Sequence, residues 1–204
     1  MNTFYDSHFK RKLITIYPGE LYASRGPEFI STILGSCVSI VLFDKTLLVG
    51  GMNHFMLAYD NTSKNSFDKS LDRLSDNVHD NATSGLLGKT ANKLFDNAHN
   101  ATKNLTDGKF GQYAIDMLLE RMEKLGSKRY NLQAKVFGGT NVFNLKSNKI
   151  EQVGKENIDF AFSYLDFLNI PIVAKDVGGN TSRKIIYDPQ TFKVYLKRLD
   201  KSHR

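Results

Sequence analysis

The sequence predicts a layered α/β domain in which helices cover a mixed, largely antiparallel sheet. Three observations carry this expectation. Short segments rich in β-branched and aromatic residues fill the first quarter of the chain, two amphipathic helical patterns appear only in its second half, and further short strand-like segments follow each of them. At 204 residues the chain has the length of one domain with a substantial core, and it is read as a single domain over 1–204 interrupted by a low-complexity insertion at about 60–108.

Taken in order, residues 13–17, 29–34, 37–43 and 47–52 read as strands, with Pro18-Gly19, Gly35-Ser36 and Asp44-Lys45 as the breaks between them. The insertion is dominated by Asn, Asp, Ser, Thr and Lys, with only marginal helical spacing at Leu71, Leu74 and Val78 and again near Leu87, Leu94 and Ala98. His79 and His99 lie within it, each alone among Asp and Asn, which is the pattern of solvated polar residues rather than of metal ligands. Regular structure returns at Phe110. Tyr113, Ala114, Met117, Leu118, Met122 and Leu125 share one helical face, and Gly126 stands where a C-terminal cap belongs. Residues 132–137 read as a strand ending in Gly138-Gly139, residues 158–168 as a second amphipathic helix, and residues 170–174 as a strand leading into Asp176-Val177-Gly178-Gly179. Two last strands, 184–187 and 193–199, flank the turn Asp188-Pro189-Gln190-Thr191.

Composition narrows the function classes. The chain has a single cysteine, which excludes an internal disulfide and a cysteine-rich metal site and points to a reducing compartment. No run is apolar enough to span a membrane and the polar start lacks a signal-peptide core, so a cytoplasmic protein without membrane insertion is expected. Lys and Arg outnumber Asp and Glu by 28 to 21, but the basic residues are scattered and no nucleic-acid-binding motif accompanies them, so nucleic acid is not expected as a partner.

The chemistry concentrates in two places. Cys37 follows the bend Gly35-Ser36, and His54 closes the next apolar segment after Gly50-Gly51. A thiol attacks as thiolate and needs a base beside it, so neighbouring strands bringing Cys37 and His54 to one sheet end would supply both partners of a thiol hydrolase. Gly50-Gly51 would leave room around the imidazole, and Thr32, Ser31 or Asn53 could hold its other nitrogen. The same residues also suit a bland reading, in which Cys37 is a small buried hydrophobe and His54 a satisfied core residue.

Six blocks in this order resemble the CheD family of chemoreceptor glutamine deamidases. They are residues 34–38 (Leu-Gly-Ser-Cys-Val), 50–57 (Gly-Gly-Met-Asn-His-Phe-Met-Leu), the helix 111–119, 135–139 (Lys-Val-Phe-Gly-Gly), 153–157 (Val-Gly-Lys-Glu-Asn) and Asp176-Val177-Gly178-Gly179 with Arg183. The resemblance covers most of the chain outside the insertion and the two ends. It implies a layered α/β sandwich similar to the catalytic domains of deamidating bacterial toxins. It further implies hydrolysis of glutamine side chains on methyl-accepting chemotaxis receptors to glutamate and ammonia, with Cys37 as nucleophile, His54 as general acid and base, and Thr32, or alternatively Ser31, as third member. No cofactor or metal is expected. The family also binds CheC-type phosphatases in some organisms, which leaves a regulatory binding role, or receptor methylesterase activity, as alternatives. Two positions depart from the pattern: Phe192 stands where glycine is common, and Ser182 where a small residue, often glycine, precedes the arginine.

Overall fold

The computed structural model describes residues 1–59, 108–141 and 148–199. The insertion expected at about 60–108, with His79 and His99, lies outside the described residues apart from its last position. The described strands are β1 (Asn2–Asp6), β2 (Arg11–Thr15), β3 (Leu21–Ser24), β4 (Phe29–Leu34), β5 (Val38–Asp44), β6 (Val49–Asn53), β7 (Leu132–Gly138), β8 (Ile172–Val177), β9 (Ser182–Asp188) and β10 (Lys193–Leu199). Two α-helices, α1 (Gly111–Lys124) and α2 (Asn148–Phe167), precede β7 and β8 respectively.

The result is a mixed α/β fold, mostly strand, with two five-stranded sheets rather than one. The first runs β1-β2-β4-β9-β10 and the second β3-β6-β5-β7-β8. In the first only β2 and β4 pair in parallel, and in the second only β7 and β8, so each sheet is mixed and largely antiparallel. Ile14, Ile16, Ile30, Leu34, Ile185 and Tyr187 of the first sheet and its margins share a core with Val41, Met52 and Phe137 of the second. Both helices pack on the second sheet, α1 against β3 and β6, α2 against β5, β7 and β8. That leaves β5 covered on both sides, and every residue of it is buried.

Local chemistry explains the helix ends. In α1 the buried positions Gly111, Ala114, Ile115, Leu118, Leu119 and Met122 recur at three- and four-residue spacing, and Gly126 takes the left-handed conformation at φ 90°. The Gly126 and Ser127 amides then donate to the Glu123 and Met122 carbonyls, closing the helix with a Schellman motif. Asn169, at φ 55°, closes α2 in the same way, with Asn169 and Ile170 donating to Asp166 and Leu165. The second helix begins ten residues before the 158 expected from the sequence, because Gly154 is part of it. A Cβ at Gly154 would lie 2.7 Å from the Gly139 carbonyl oxygen, so the glycine serves close approach rather than a break. Between the helices, the Tyr164 hydroxyl donates to Asp116 at 2.8 Å, and burial pushes the Asp116 carboxyl up to about 7.

Phe192 occupies a glycine conformation at φ 59°. Its ring stacks on Phe43 at 4.8 Å, and Lys135 sits over the ring while its ammonium donates to the Phe192 carbonyl at 2.6 Å. These contacts offset the left-handed backbone that a side chain makes unfavourable.

Gly50 and Gly51 lie within β6 and serve packing on both faces of the strand. A Cβ at Gly51 would meet Leu118 and Ala23, and one at Gly50 would lie 2.1 Å from the Tyr187 hydroxyl. The absent side chain at Gly50 lets Tyr187 reach across from the first sheet to donate to the Leu42 carbonyl at 3.1 Å. Replacement of Gly50 by alanine is expected to destabilise the fold by about 1–3 kcal/mol through overpacking. Urea unfolding of Gly50→Ala checks this; an unchanged midpoint would contradict it.

Candidate active site

The chain passes from the first sheet to the second between the end of β4 at Leu34 and the start of β5 at Val38, and Cys37 is the last residue of that crossing. Side chains alternate along a strand, so Thr32 lies on the same face of β4 as Ile30 and Leu34, both in the core shared by the two sheets. Met52 of β6 also belongs to that core, and His54 is two residues further along the same face. Val41 of β5 does so too, and Cys37, at the same parity, packs against it. The register Val41↔Met52 is kept by an isolated bridge at Val38↔Phe55, whose amides each donate to the other's carbonyl at 3.0 Å. Cys37 and His54 are therefore diagonal neighbours on one face of adjacent segments, and that face looks toward Thr32.

Between those two points the ladder opens. The Ile40 amide donates to the Asn53 side-chain oxygen at 2.8 Å, and the Ser39 hydroxyl donates to the Asn53 carbonyl at 2.6 Å. Side chains thus satisfy groups that backbone pairing would otherwise take.

His54 is buried, with 2% of its surface exposed. The turn at Tyr17–Glu20 grips its backbone: Gly19 donates to the His54 carbonyl at 2.7 Å, and His54 donates to the Glu20 carbonyl at 3.0 Å. Its Nδ1 lies 2.7 Å from the Thr32 hydroxyl, which in turn donates its own proton to the Ile16 carbonyl at 2.9 Å. A hydroxyl has one proton to give, so toward the imidazole it accepts. Nδ1 therefore carries the ring proton, and Nε2 is left with a lone pair. Nε2 is buried and has no hydrogen-bond partner among the described residues.

Electrostatics favour the same state. Burial lowers the His54 pKa to about 4, against a smaller opposing pull from Glu20. Burial raises the Cys37 thiol, partly offset by its own backbone N–H. At neutral pH the site holds a thiol and a neutral imidazole whose free lone pair is a ready proton acceptor.

The crossing that carries Cys37 is held at three successive carbonyls. Thr140 donates to Gly35 at 2.7 Å, the Asn157 side chain to Ser36 at 3.0 Å and Gly139 to Cys37 at 2.8 Å. Gly138 must be glycine here: its φ is 108° and a Cβ would lie 2.2 Å from the Cys37 carbonyl oxygen. Behind this loop the fully buried Arg183 donates to the Thr140 hydroxyl at 2.7 Å and to the Asp176 carboxylate at 2.5 Å, and also to the Asp176 and Gly178 carbonyls.

The structure thus joins Thr32 to His54 directly and sets Cys37 diagonal to His54 on the same face. Ser31 falls on the other face of β4, its hydroxyl 3.0 Å from that of Thr15, and Asn53 serves the backbone rather than the imidazole. Gly50-Gly51 does not make room around His54; it packs against Tyr187, Leu118 and Ala23. Asn157 entered the sequence reading only as the last residue of the block 153–157, with no part assigned to it at the site. The available signal was a polar residue at helical spacing with Val153, Phe160, Ala161 and Tyr164.

Comparison with known proteins adds a family. The family described as CheD chemotactic sensory transduction matches residues 94–198, a span that begins after Thr32, Cys37 and His54. Alignments with individual relatives extend over nearly the whole chain. The "probable chemoreceptor glutamine deamidase CheD 1" of Shewanella oneidensis is 32% identical over 203 residues, covering 99% of this chain and 80% of that protein. The "probable chemoreceptor glutamine deamidase CheD" of Hahella chejuensis is 34% identical over 203 residues, 100% of this chain and 78% of that protein. The corresponding "CheD 2" of Chromobacterium violaceum is 34% identical over 199 residues, 98% of this chain and 80% of that protein.

The depressed His54 pKa has a consequence for stability. The unfolded chain takes up a proton near 6.5 that the folded site refuses until about 4, so stability falls as pH drops through that window and levels off below it. The contribution amounts to about 3 kcal/mol. Asp116, raised to about 7 by burial, acts with the opposite sign, so the comparison is between wild type and His54→Asn, which share it. Denaturant midpoints from pH 7 to pH 4 are expected to show His54→Asn losing less stability than wild type; parallel curves would contradict the neutral buried imidazole.

Proposed function

The chain belongs to the CheD family, and on that footing we propose that it is a protein-glutamine glutaminase that deamidates glutamine side chains of chemoreceptors through a thioester on Cys37. The observation that carries this reading is the neutral His54 with its proton on Nδ1 and its Nε2 lone pair free, on the face it shares with the protein's only cysteine. The sheet-on-sheet core with both helices on the second sheet supports a layered α/β sandwich of the kind found in deamidating toxins.

In the first half-reaction Sγ of Cys37 attacks the amide carbon while Nε2 of His54 takes the thiol proton. The tetrahedral intermediate collapses as the imidazolium returns that proton to the amide nitrogen, the C–N bond breaks and ammonia leaves. In the second, Nε2 takes a proton from water, whose oxygen attacks the thioester; the C–S bond breaks, the thiol is reprotonated and glutamate is released. Thr32 stays hydrogen-bonded to Nδ1–H throughout and stabilises the imidazolium that forms in each half. Because the resting imidazole is neutral, it serves as base first and acid second without a prior ionisation. Receptor adaptation follows chemically, since the glutamate formed is a carboxylate that can be methylated. No helix among the described residues is long and apolar enough to cross a membrane. We place the activity in the cytoplasm, where receptor signalling helices and a CheC-type phosphatase partner would be met.

Mass spectrometry of intact receptor from the same organism tests the proposal. Incubation with wild type is expected to add about one mass unit per site, the replacement of NH₂ by OH, and incubation with Cys37→Ala to add none. Conversion by both proteins would remove the thiol from the mechanism. Conversion by neither would leave the binding role toward a phosphatase as the better reading.

A further inference from the structure

Asn157 is completely buried on α2, three residues after the glycine that lets the helix approach Gly139. Its amide nitrogen donates to the Ser36 carbonyl at 3.0 Å and to the Met56 carbonyl at 2.8 Å. Both acceptors are carbonyl oxygens, so the amide has only one orientation that satisfies them, with NH₂ between the two. Ser36 immediately precedes Cys37, and Met56 follows His54 by two residues.

The place of this contact in the sheet gives it meaning. Among the described residues, Val38↔Phe55 is the last backbone pair joining the two segments, and the register it sets puts Cys37 opposite Met56. Beyond that pair the Cys37 crossing and the His54 segment are free to separate. The two N–H groups of Asn157 take over where the backbone ladder ends, one on each segment. Both hydrogen bonds come from a side chain more than a hundred residues away in sequence, so neither segment can set the spacing alone.

We infer that Asn157 is a positioning residue, which fixes the Cys37 crossing against the His54 segment so that Nε2 can take the thiol proton. The inference rests on the reading of Cys37 and His54 as nucleophile and base. It distinguishes Asn157 from residues that merely fill the core. Leucine would keep its branched skeleton and aspartate its shape, but neither supplies two donors, and each would leave both carbonyls without the amide's hydrogen bonds.

Alkylation of Cys37 by iodoacetamide in the full chain, followed from pH 5 to pH 9, tests this without a receptor. The proteins compared are wild type, His54→Ala, Asn157→Ala and the double variant, each with its unfolding temperature measured. His54→Ala is expected to react at least about 10-fold more slowly than wild type at pH 7, below the roughly 10²–10⁴-fold that a positioned general base contributes. Asn157→Ala is expected to fall to the His54→Ala rate and pH profile while still folded at the assay temperature. The double variant is then expected to be no slower than either, since both remove the same coupling. A folded Asn157→Ala that keeps the wild-type rate and profile would overturn the inference and leave the Cys37–His54 pair standing. Wild type reacting no faster than His54→Ala would overturn the pair and the inference together. Should Asn157→Ala not fold, Asn157→Ser keeps one donor: an intermediate rate supports the inference, and the wild-type rate overturns it.

Discussion

One hydroxyl joins the two sheets at the point where chemistry is placed. Thr32 belongs to β4 in the first sheet, and the imidazole it accepts from follows β6 in the second. Because Thr32 has already given its proton to the Ile16 carbonyl, the imidazole can present only Nδ1–H to it. That assignment depends on the sheets being held in register and at the right separation. The shared core of Ile30, Leu34, Val41, Met52, Ile185 and Tyr187 sets the separation, and the Tyr187 hydroxyl bonds across it to Leu42. Removing Thr32 would leave the core in place and the tautomer undetermined.

Burial does the rest of the electrostatic work. A histidine in water is partly protonated near neutral pH, whereas His54 is kept neutral by the loss of solvation on the face between the sheets. The thiol is pushed the other way by the same cause. A pair of this kind stores no ion pair at rest, and charge develops only as the proton passes from sulfur to nitrogen. Geometry must then be fixed in advance, because no Coulomb attraction pulls the two groups together. The hydrogen bonds to the Gly35, Ser36 and Cys37 carbonyls, backed by the buried Arg183, provide that fixation on the sulfur side. The Gly19 and Glu20 backbone groups provide it on the imidazole side.

Much of this was legible in the sequence, and the gaps have physical causes. The strands that became β4, β5, β6 and β7 declared themselves by β-branched runs between turn residues, and α1 by its apolar period and Gly126. β1 and β3 were missed: β1 is exposed over most of its length and β3 is four residues long, so neither carries a strong alternating pattern. The start of α2 was misplaced because Gly154 reads as a breaker when seen alone, and only the packed Gly139 backbone shows why it is tolerated. Asp176 and Val177 were placed beyond the strand read over 170–174, yet they end β8 in parallel pairing with Phe137 and Gly138. The choice between Thr32 and Ser31 at the imidazole needed to know which face of β4 meets the second sheet, a tertiary fact that adjacent hydroxyl residues cannot encode. Asn157 needed the same knowledge, since its two acceptors are set by chain segments remote from it.

The protonation state of His54 is the claim on which the chemistry turns, and nitrogen-15 nuclear magnetic resonance of its imidazole reads it directly. A neutral ring with the proton on Nδ1 at pH 7 is expected, one that does not titrate until the pH nears about 4. A proton on Nε2, or titration at the ordinary value of 6.5, would contradict it.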